Sequence, residues 1–175
     1  VQTCALPIFG LYKKAYPGVN ILNLLTLDMM FRPSTKDMIR RRVRECTAPN
    51  YNYIMTLEFP LDGGKRAWHC ADIPFAFGNA LVTPICCIGD GVTEHVQDQF
   101  CKAFTSFAKT GSPNHEGLPE WKPCTEDEFC TMIFDKDAEL RVNFDEELLK
   151  AYEEAVPKFR MVFPARENTE KRWLF

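Results

Sequence analysis

Few side chains in this sequence can move a proton or form a covalent intermediate at neutral pH. Histidine is the one residue type whose ordinary pKa lies near neutrality, and the chain has His69, His95 and His115. The serines are Ser34, Ser106 and Ser112, and none sits in G-x-S-x-G, the strand-to-helix turn that exposes a serine nucleophile. Ser106 lies inside a helical pattern and Ser112 just past its end, so structural roles suffice for both. The cysteines form no C-x-x-C pair and no two histidines have metal-ligand spacing, so no metal site is expected. Gly63-Gly64 and Gly89-x-Gly91 lack the lysine or the strand–helix context of a phosphate loop. What remains is acid–base chemistry by a histidine.

The histidines differ in setting. His95 opens an amphipathic helical pattern and His115 lies in a Pro/Gly loop, so both are placed at the surface. His69 follows a strand pattern and its turn, beside Trp68 and just before a dense apolar segment. Loops at the ends of parallel strands are where α/β enzymes carry reactive groups. Position alone leaves structural and catalytic readings of His69 both open.

The elements that must hold it can be read along the chain. Tyr16-Pro17-Gly18 is a turn, and residues 20–30 are apolar enough for a helix. Pro33-Ser34 interrupts that stretch, and Ser34 or Thr35 is expected to cap a second helix. Its Ile39 and Val43 face inward, and Arg40, Arg41, Arg42 and Arg44 form a solvated face. Residues 51–58 (YNYIMTLE) read as a strand. Apolar residues on both of its faces suggest an inner strand of an α/β sheet. Leu61-Asp62-Gly63-Gly64 makes the next turn.

Residues 93–110 are the clearest helix. Val96, Phe100, Ala103, Phe104 and Phe107 form one stripe, with Gly111 as its C-terminal stop. A loop holds Pro119, Trp121 and Pro123. Residues 131–134 suggest a short edge strand. Asn143 or Asp145 is expected to cap a last helix whose Leu148, Leu149, Tyr152 and Val156 face inward, ended by Pro157.

The segment from His69 to Asn79, HCADIPFAFGN, resembles the histidine-loop motif of type-B carboxylesterases, approximately H-[GA]-x-[ED]-[LI]-P-[FY]-V-F-G. This is the cholinesterase and para-nitrobenzyl esterase group of α/β-hydrolases. Residues 107–114, FAKTGSPN, resemble the family's F-A-[KR]-T-G-x-P-N, and Trp121 with Pro123 follows in order. Upstream, Asp28-x-x-Phe31-Arg32-Pro33 and the aromatic strand also fall in sequence, so the likeness is collinear over roughly Tyr12 to Asp135. It implies an α/β fold, the C-terminal part of an α/β-hydrolase truncated at its N-terminal side. His69 is then the triad base of a serine esterase acting on a small-molecule carboxylic ester, with no metal or cofactor. In this class the triad runs serine, acid, histidine, so the serine, its acid and the oxyanion loop are expected upstream.

Cys70 departs from the family's small residue, although it is only modestly larger, and Ala76 replaces the usual Val. Asp72 matches the family's acidic position. It is expected either to brace the loop as a hydrogen-bond acceptor behind His69, or to cap a turn beginning at Ile73-Pro74. Trp68, Phe75 and Phe77 are candidates for a substrate pocket, with core packing as the default. The alternative to an enzyme is a non-catalytic, esterase-like interaction protein, or a fragment inactive by itself.

Composition sets the remaining bounds. The chain has 175 residues, 46% hydrophobic and 26% charged, with a net charge of −3. That balance gives no electrostatic case for nucleic acid, and no apolar run approaches a membrane span. Oligomeric state is not legible. Residues 1–8, VQTCALPI, read as the translation of a sequencing-library adapter, which leaves residues 9–175 as the C-terminal portion of one carboxylesterase domain. Seven irregularly spaced cysteines beyond Cys4 suggest reduced, buried thiols and a cytoplasmic setting.

Overall fold

The computed structural model describes residues 2–19, 31–61 and 63–155. Its main sheet has three strands in the order β1 (Asn52–Met55), β4 (Cys130–Phe134), β5 (Ala138–Val142). β1 runs parallel to β4, with Asn52 opposite Thr131 and Met55 opposite Phe134. β4 and β5 form an antiparallel hairpin from Cys130–Val142 to Phe134–Ala138. A parallel pair needs a crossover, and the 19-residue helix α4 (Val92–Thr110) supplies it.

All five residues of β4 are buried, as a strand covered on both faces requires. The expectation of an edge strand at residues 131–134 is therefore corrected: β4 is central. The signal missed was β5, whose Glu139 and Arg141 obscure its strand character. β1 is also shorter than its pattern suggested. Among the described residues it pairs on one side only, so it ends the sheet rather than lying inside it.

Tyr51, Tyr53, Met55 and Leu57 all join the main core, with Phe59, Phe75, Val96, Phe100, Trp121, Met132 and Phe134. Tyr53 is its aromatic hub, meeting Phe100 edge-on at 5.1 Å and Phe104, Trp121 and Phe134 at 5.8–6.4 Å. Each fully buried ring contributes about 1.5–3 kcal/mol, so the seam between β1 and α4 carries much of the fold. Val96, Phe100 and Ala103 are buried as expected, whereas Phe104 and Phe107 remain 40% and 48% exposed at the seam's rim. Gly111 ends α4 at φ +77°, a conformation that costs glycine little.

The remaining helices form a second layer. α1 (Gln2–Ala15) crosses residue 8 without a break, and Ile8, Tyr12, Ala15 and Tyr16 pack with Leu148 of α5 (Glu146–Ala155). α2 spans Arg32–Glu45, three or four residues earlier than a cap at Ser34 or Thr35 would start it. Pro33 opens this helix, because a first-turn residue needs no N–H partner. Phe31 takes the cap position in place of Ser34 or Thr35.

One face of α2 presents Arg32, Lys36 and Arg40 at successive turns to the start of α5. Arg32 Nε donates to Asp145 Oδ2 at 2.6 Å, and Lys36 and Arg40 reach Glu146 Oε1 at 3.1 and 2.5 Å. Lys36 and Asp145 are buried, whereas Arg41, Arg42 and Arg44 are exposed as expected. Burial pushes the Lys36 ammonium below its usual pKa, and the charges of Asp145 and Glu146 partly offset this. Asp145 directs its carboxylate to α2, while Asn143 Oδ1 accepts from Phe129 N at 2.8 Å.

Leu148 and Leu149 are buried; residues 20–30, Val156 and Pro157 lie outside the described residues. Of the seven cysteines beyond Cys4, Cys86, Cys124 and Cys130 are buried and Cys46, Cys70 and Cys87 exposed, so burial holds for only some of them. Among the described residues, no helix is long and apolar enough to cross a membrane.

Candidate functional site

His69 sits three residues beyond a hairpin that the sequence did not reveal. β2 (Glu58–Phe59) pairs antiparallel with β3 (Lys65–Arg66). Gly64 closes the hairpin at φ +111°, where a Cβ would stand 2.5 Å from Glu58 Oε1. Arg66 then reaches back to the carboxyl ends of both parallel strands. Its Nη1 bonds the Thr56 carbonyl after β1 and lies 2.9 Å from Asp135 Oδ2 after β4. Thr56 Oγ1 donates to the same carboxylate oxygen at 2.7 Å. This polar knot fixes the entry to the histidine loop at the strand ends, where α/β folds carry their reactive groups.

The exit is fixed from within. Ala71 and Phe75 are buried in the core, and Phe75 belongs to the one-turn helix α3 (Ile73–Ala76). Tyr53 Oη donates to Asp72 Oδ2 at 2.7 Å, which ties β1 to the loop. Asp72 stands at the cap position of α3 but makes no side-chain cap bond. Its carboxylate is engaged by Tyr53 instead, so the capping expectation is replaced by a brace. Burial, then the hydrogen bond and charge of Asp72, push the Tyr53 phenol well above its usual pKa. The donor therefore stays protonated at any pH where a histidine titrates.

Between these anchors His69 is exposed. Among the described residues neither of its ring nitrogens has a hydrogen-bond partner, while one ring face stacks on Phe31 at 4.7 Å and 11°. The next residue, Cys70, has φ +70°. Backbone conformation, more than side-chain size, therefore sets the cost of Cys at this position, since a Cβ in the left-handed region costs about 1–2 kcal/mol. Glycine adds about 0.5–1 kcal/mol of chain entropy to folding. Cys70→Gly is therefore expected to be neutral or to stabilise by up to about 1 kcal/mol in urea unfolding, whereas Cys70→Val should destabilise.

The other candidates are occupied elsewhere. His95 is exposed on α4. His115 is half-buried rather than superficial, with Nδ1 at 2.6 Å from the Glu116 carbonyl and Nε2 at 3.0 Å from that of Gln99. Ser106 Oγ donates to the Asn114 carbonyl at 2.9 Å. Asn114 clamps Trp121 through its backbone N–H and carbonyl, at 2.6 and 3.0 Å, and so seats the Trp121 ring in the core. The motif at residues 107–114 is thus a packing device. Phe75 is core, Phe77 is 79% exposed, and Trp68 packs on Phe59 at 4.9 Å.

An open cleft of about 990 Å³ adjoins the histidine loop, lined by His69, Phe31, Asp72, Trp68, Tyr12 and Tyr16 among others. The consecutive residues 50–56 also line it. A strand face would contribute alternate residues, so the cleft runs along an edge of β1. Sequence reasoning named His69 and Asp72, which the fold sets at the two ends of one four-residue turn. It missed Arg66, Tyr53 and Phe31, and of these only Phe31 carried a signal, as part of the D-x-x-F-R-P pattern.

The model of the carboxylesterase family matches residues 18–151. The chain belongs to the carboxylesterase family. An esterase from Clostridium hathewayi, described as able to hydrolyse aliphatic aromatic polyesters, is 39% identical, with a TM-score of 0.80 over 86% of this chain and 30% of its own. A thermophilic para-nitrobenzyl esterase at 21% identity has a TM-score of 0.64 over 83% of this chain and 30% of its own. For a Geobacillus stearothermophilus carboxylesterase at 22% identity the TM-score is 0.63, over 86% of this chain and 32% of its own. The last two likenesses establish the fold alone. This carboxylesterase-family chain therefore carries a part of the α/β-hydrolase fold and spans about 30% of the length of these solved esterases. No curated protein matches it.

Proposed function

We propose that this chain is the C-terminal portion of a serine carboxylesterase and that His69 is its triad base. The observation that carries the reading is the placement of His69. It sits on a loop anchored to the carboxyl ends of parallel strands, with both ring nitrogens unengaged among the described residues. A serine hydroxyl is a poor nucleophile at neutral pH and needs a base within hydrogen-bond reach. In the proposed enzyme Nε2 of His69 takes that proton as the serine attacks the ester carbonyl, then returns it to the departing alcohol. Nδ1–H faces the triad carboxylate, and water, deprotonated by the same imidazole, cleaves the acyl-enzyme.

The serine, acid and oxyanion donors belong, in this reading, to sequence preceding residue 9. Support comes from chain order in the fold class, from the share of the solved esterases that the chain spans, and from the edge of β1 along the cleft, where a further parallel strand would pair. Asp72 acts through the loop: by holding it to Tyr53 it sets where His69 stands. The substrate is a small-molecule carboxylic ester. Similarity to the Clostridium enzyme makes aliphatic aromatic polyesters a natural first panel.

The 175-residue polypeptide alone is expected to hydrolyse para-nitrophenyl esters no faster than buffer, because its base has no nucleophile to activate. Turnover by the purified chain, abolished in His69→Ala, would contradict the assignment of the nucleophile to another segment.

A further inference from the structure

We infer that Phe31 is a positioning residue for the His69 imidazole; this rests on His69 being the proposed base. A triad histidine must take a proton at one nitrogen and donate from the other, and both directions lie in the ring plane. A side chain that holds the ring without competing for either nitrogen must therefore contact a face. Phe31 does this, with ring centroids 4.7 Å apart and planes within 11°. The terminal torsion of histidine is broad, and the hydrogen-bond partners that would otherwise narrow it are not among the described residues.

The two rings are anchored separately. His69 is held through Arg66 and Asp72 to the strand ends and β1. Phe31 precedes α2, and its carbonyl accepts from Thr35 N at 2.8 Å and from Ser34 Oγ at 3.2 Å. The next residue, Arg32, is tied to buried Asp145 at 2.6 Å and lies over the Phe144 ring at 5.5 Å. The stack thus links the α2–α5 clamp to the histidine loop. Phe31 is 43% exposed, so the stacked pair lies at the surface rather than in the core.

Proton NMR of the 175-residue chain tests the contact. The imidazole C–H signals of His69, assigned by their loss in His69→Gln, are expected upfield of those of exposed His95. They should move to the His95 position in Phe31→Leu and return upfield in Phe31→Tyr. Unshifted His69 signals in the wild-type chain would overturn the stack, whether or not His69 is catalytic. The positioning role is read in the enzyme carrying the upstream serine. Phe31→Leu should lower kcat roughly 2- to 10-fold, the size of one aromatic pair, with KM unchanged, and Phe31→Tyr should restore it. An unaltered kcat in Phe31→Leu would overturn positioning even if the stack is observed. Full activity retained in His69→Gln would overturn the triad assignment itself, separately from the stack.

Discussion

Replacing His69 by alanine in the protein that includes the upstream serine and acid is expected to lower kcat for a para-nitrophenyl ester by roughly 10⁴- to 10⁶-fold. KM should change little. The size follows from the division of labour in acyl transfer. Oxyanion donors and substrate binding survive the substitution, whereas serine loses its base and the alcohol loses its acid. The loop should survive as well, because its anchors are Arg66, Ala71, Asp72 and Phe75, and His69 itself is exposed. A melting temperature near that of the parent would separate lost chemistry from lost folding. Tyr53→Phe gives the useful contrast. It removes the 2.7 Å bond to Asp72 but keeps the ring, so activity should fall far less than in His69→Ala.

The second large effect concerns stability. Asp145→Ala is expected to cost about 3–5 kcal/mol, because it strands Arg32 and Lys36 as buried cations without their partner. The Asp145 side chain is 2% exposed, against 10% for Arg32 and 6% for Lys36. Glu146 compensates in part, since Lys36 also reaches it at 3.1 Å, but among the described residues Arg32 pairs with Asp145 alone. A loss of that size is a large share of the 5–15 kcal/mol typical of a domain. Urea unfolding followed by circular dichroism measures it directly. Joint replacement of Arg32, Lys36 and Asp145 by apolar residues of similar volume should recover much of the loss, because desolvation of the charges is then avoided. A single Asp145→Ala that unfolds at the parental midpoint would show that α2 is not held by this cluster.

Sequence patterns revealed the elements whose signals are local. The stripe from Val96 to Ala103, the glycine stop at Gly111 and the aromatic run at Tyr51–Leu57 depend on neighbouring residues and were legible. What escaped depends on partners distant in the chain. Whether β4 is central or peripheral is decided by β5, where Glu139 and Arg141 hide the strand. Lys36 looks like any cation on a basic helix, and Asp145, Glu146 and the Phe129 ring, all distant in the chain, explain its burial. Asp72 has the sequence of a helix cap, yet Tyr53 from β1 claims its carboxylate. At the site, the motif singled out His69 and Asp72, but the supports were hidden for the same reason. Arg66 is one basic residue after a turn, and its role exists only because Thr56 and Asp135 meet at the ends of parallel strands.

Activation by His69 of a serine lying outside this chain can be read with an activity-based fluorophosphonate probe. The protein expressed with its upstream reading frame is treated with the probe and the modified peptide located by mass spectrometry. One serine within G-x-S-x-G is expected to be modified, and the modification to be lost or slowed by orders of magnitude in His69→Ala. Modification that proceeds equally well in His69→Ala, or an upstream sequence with another residue in place of that serine, would contradict it.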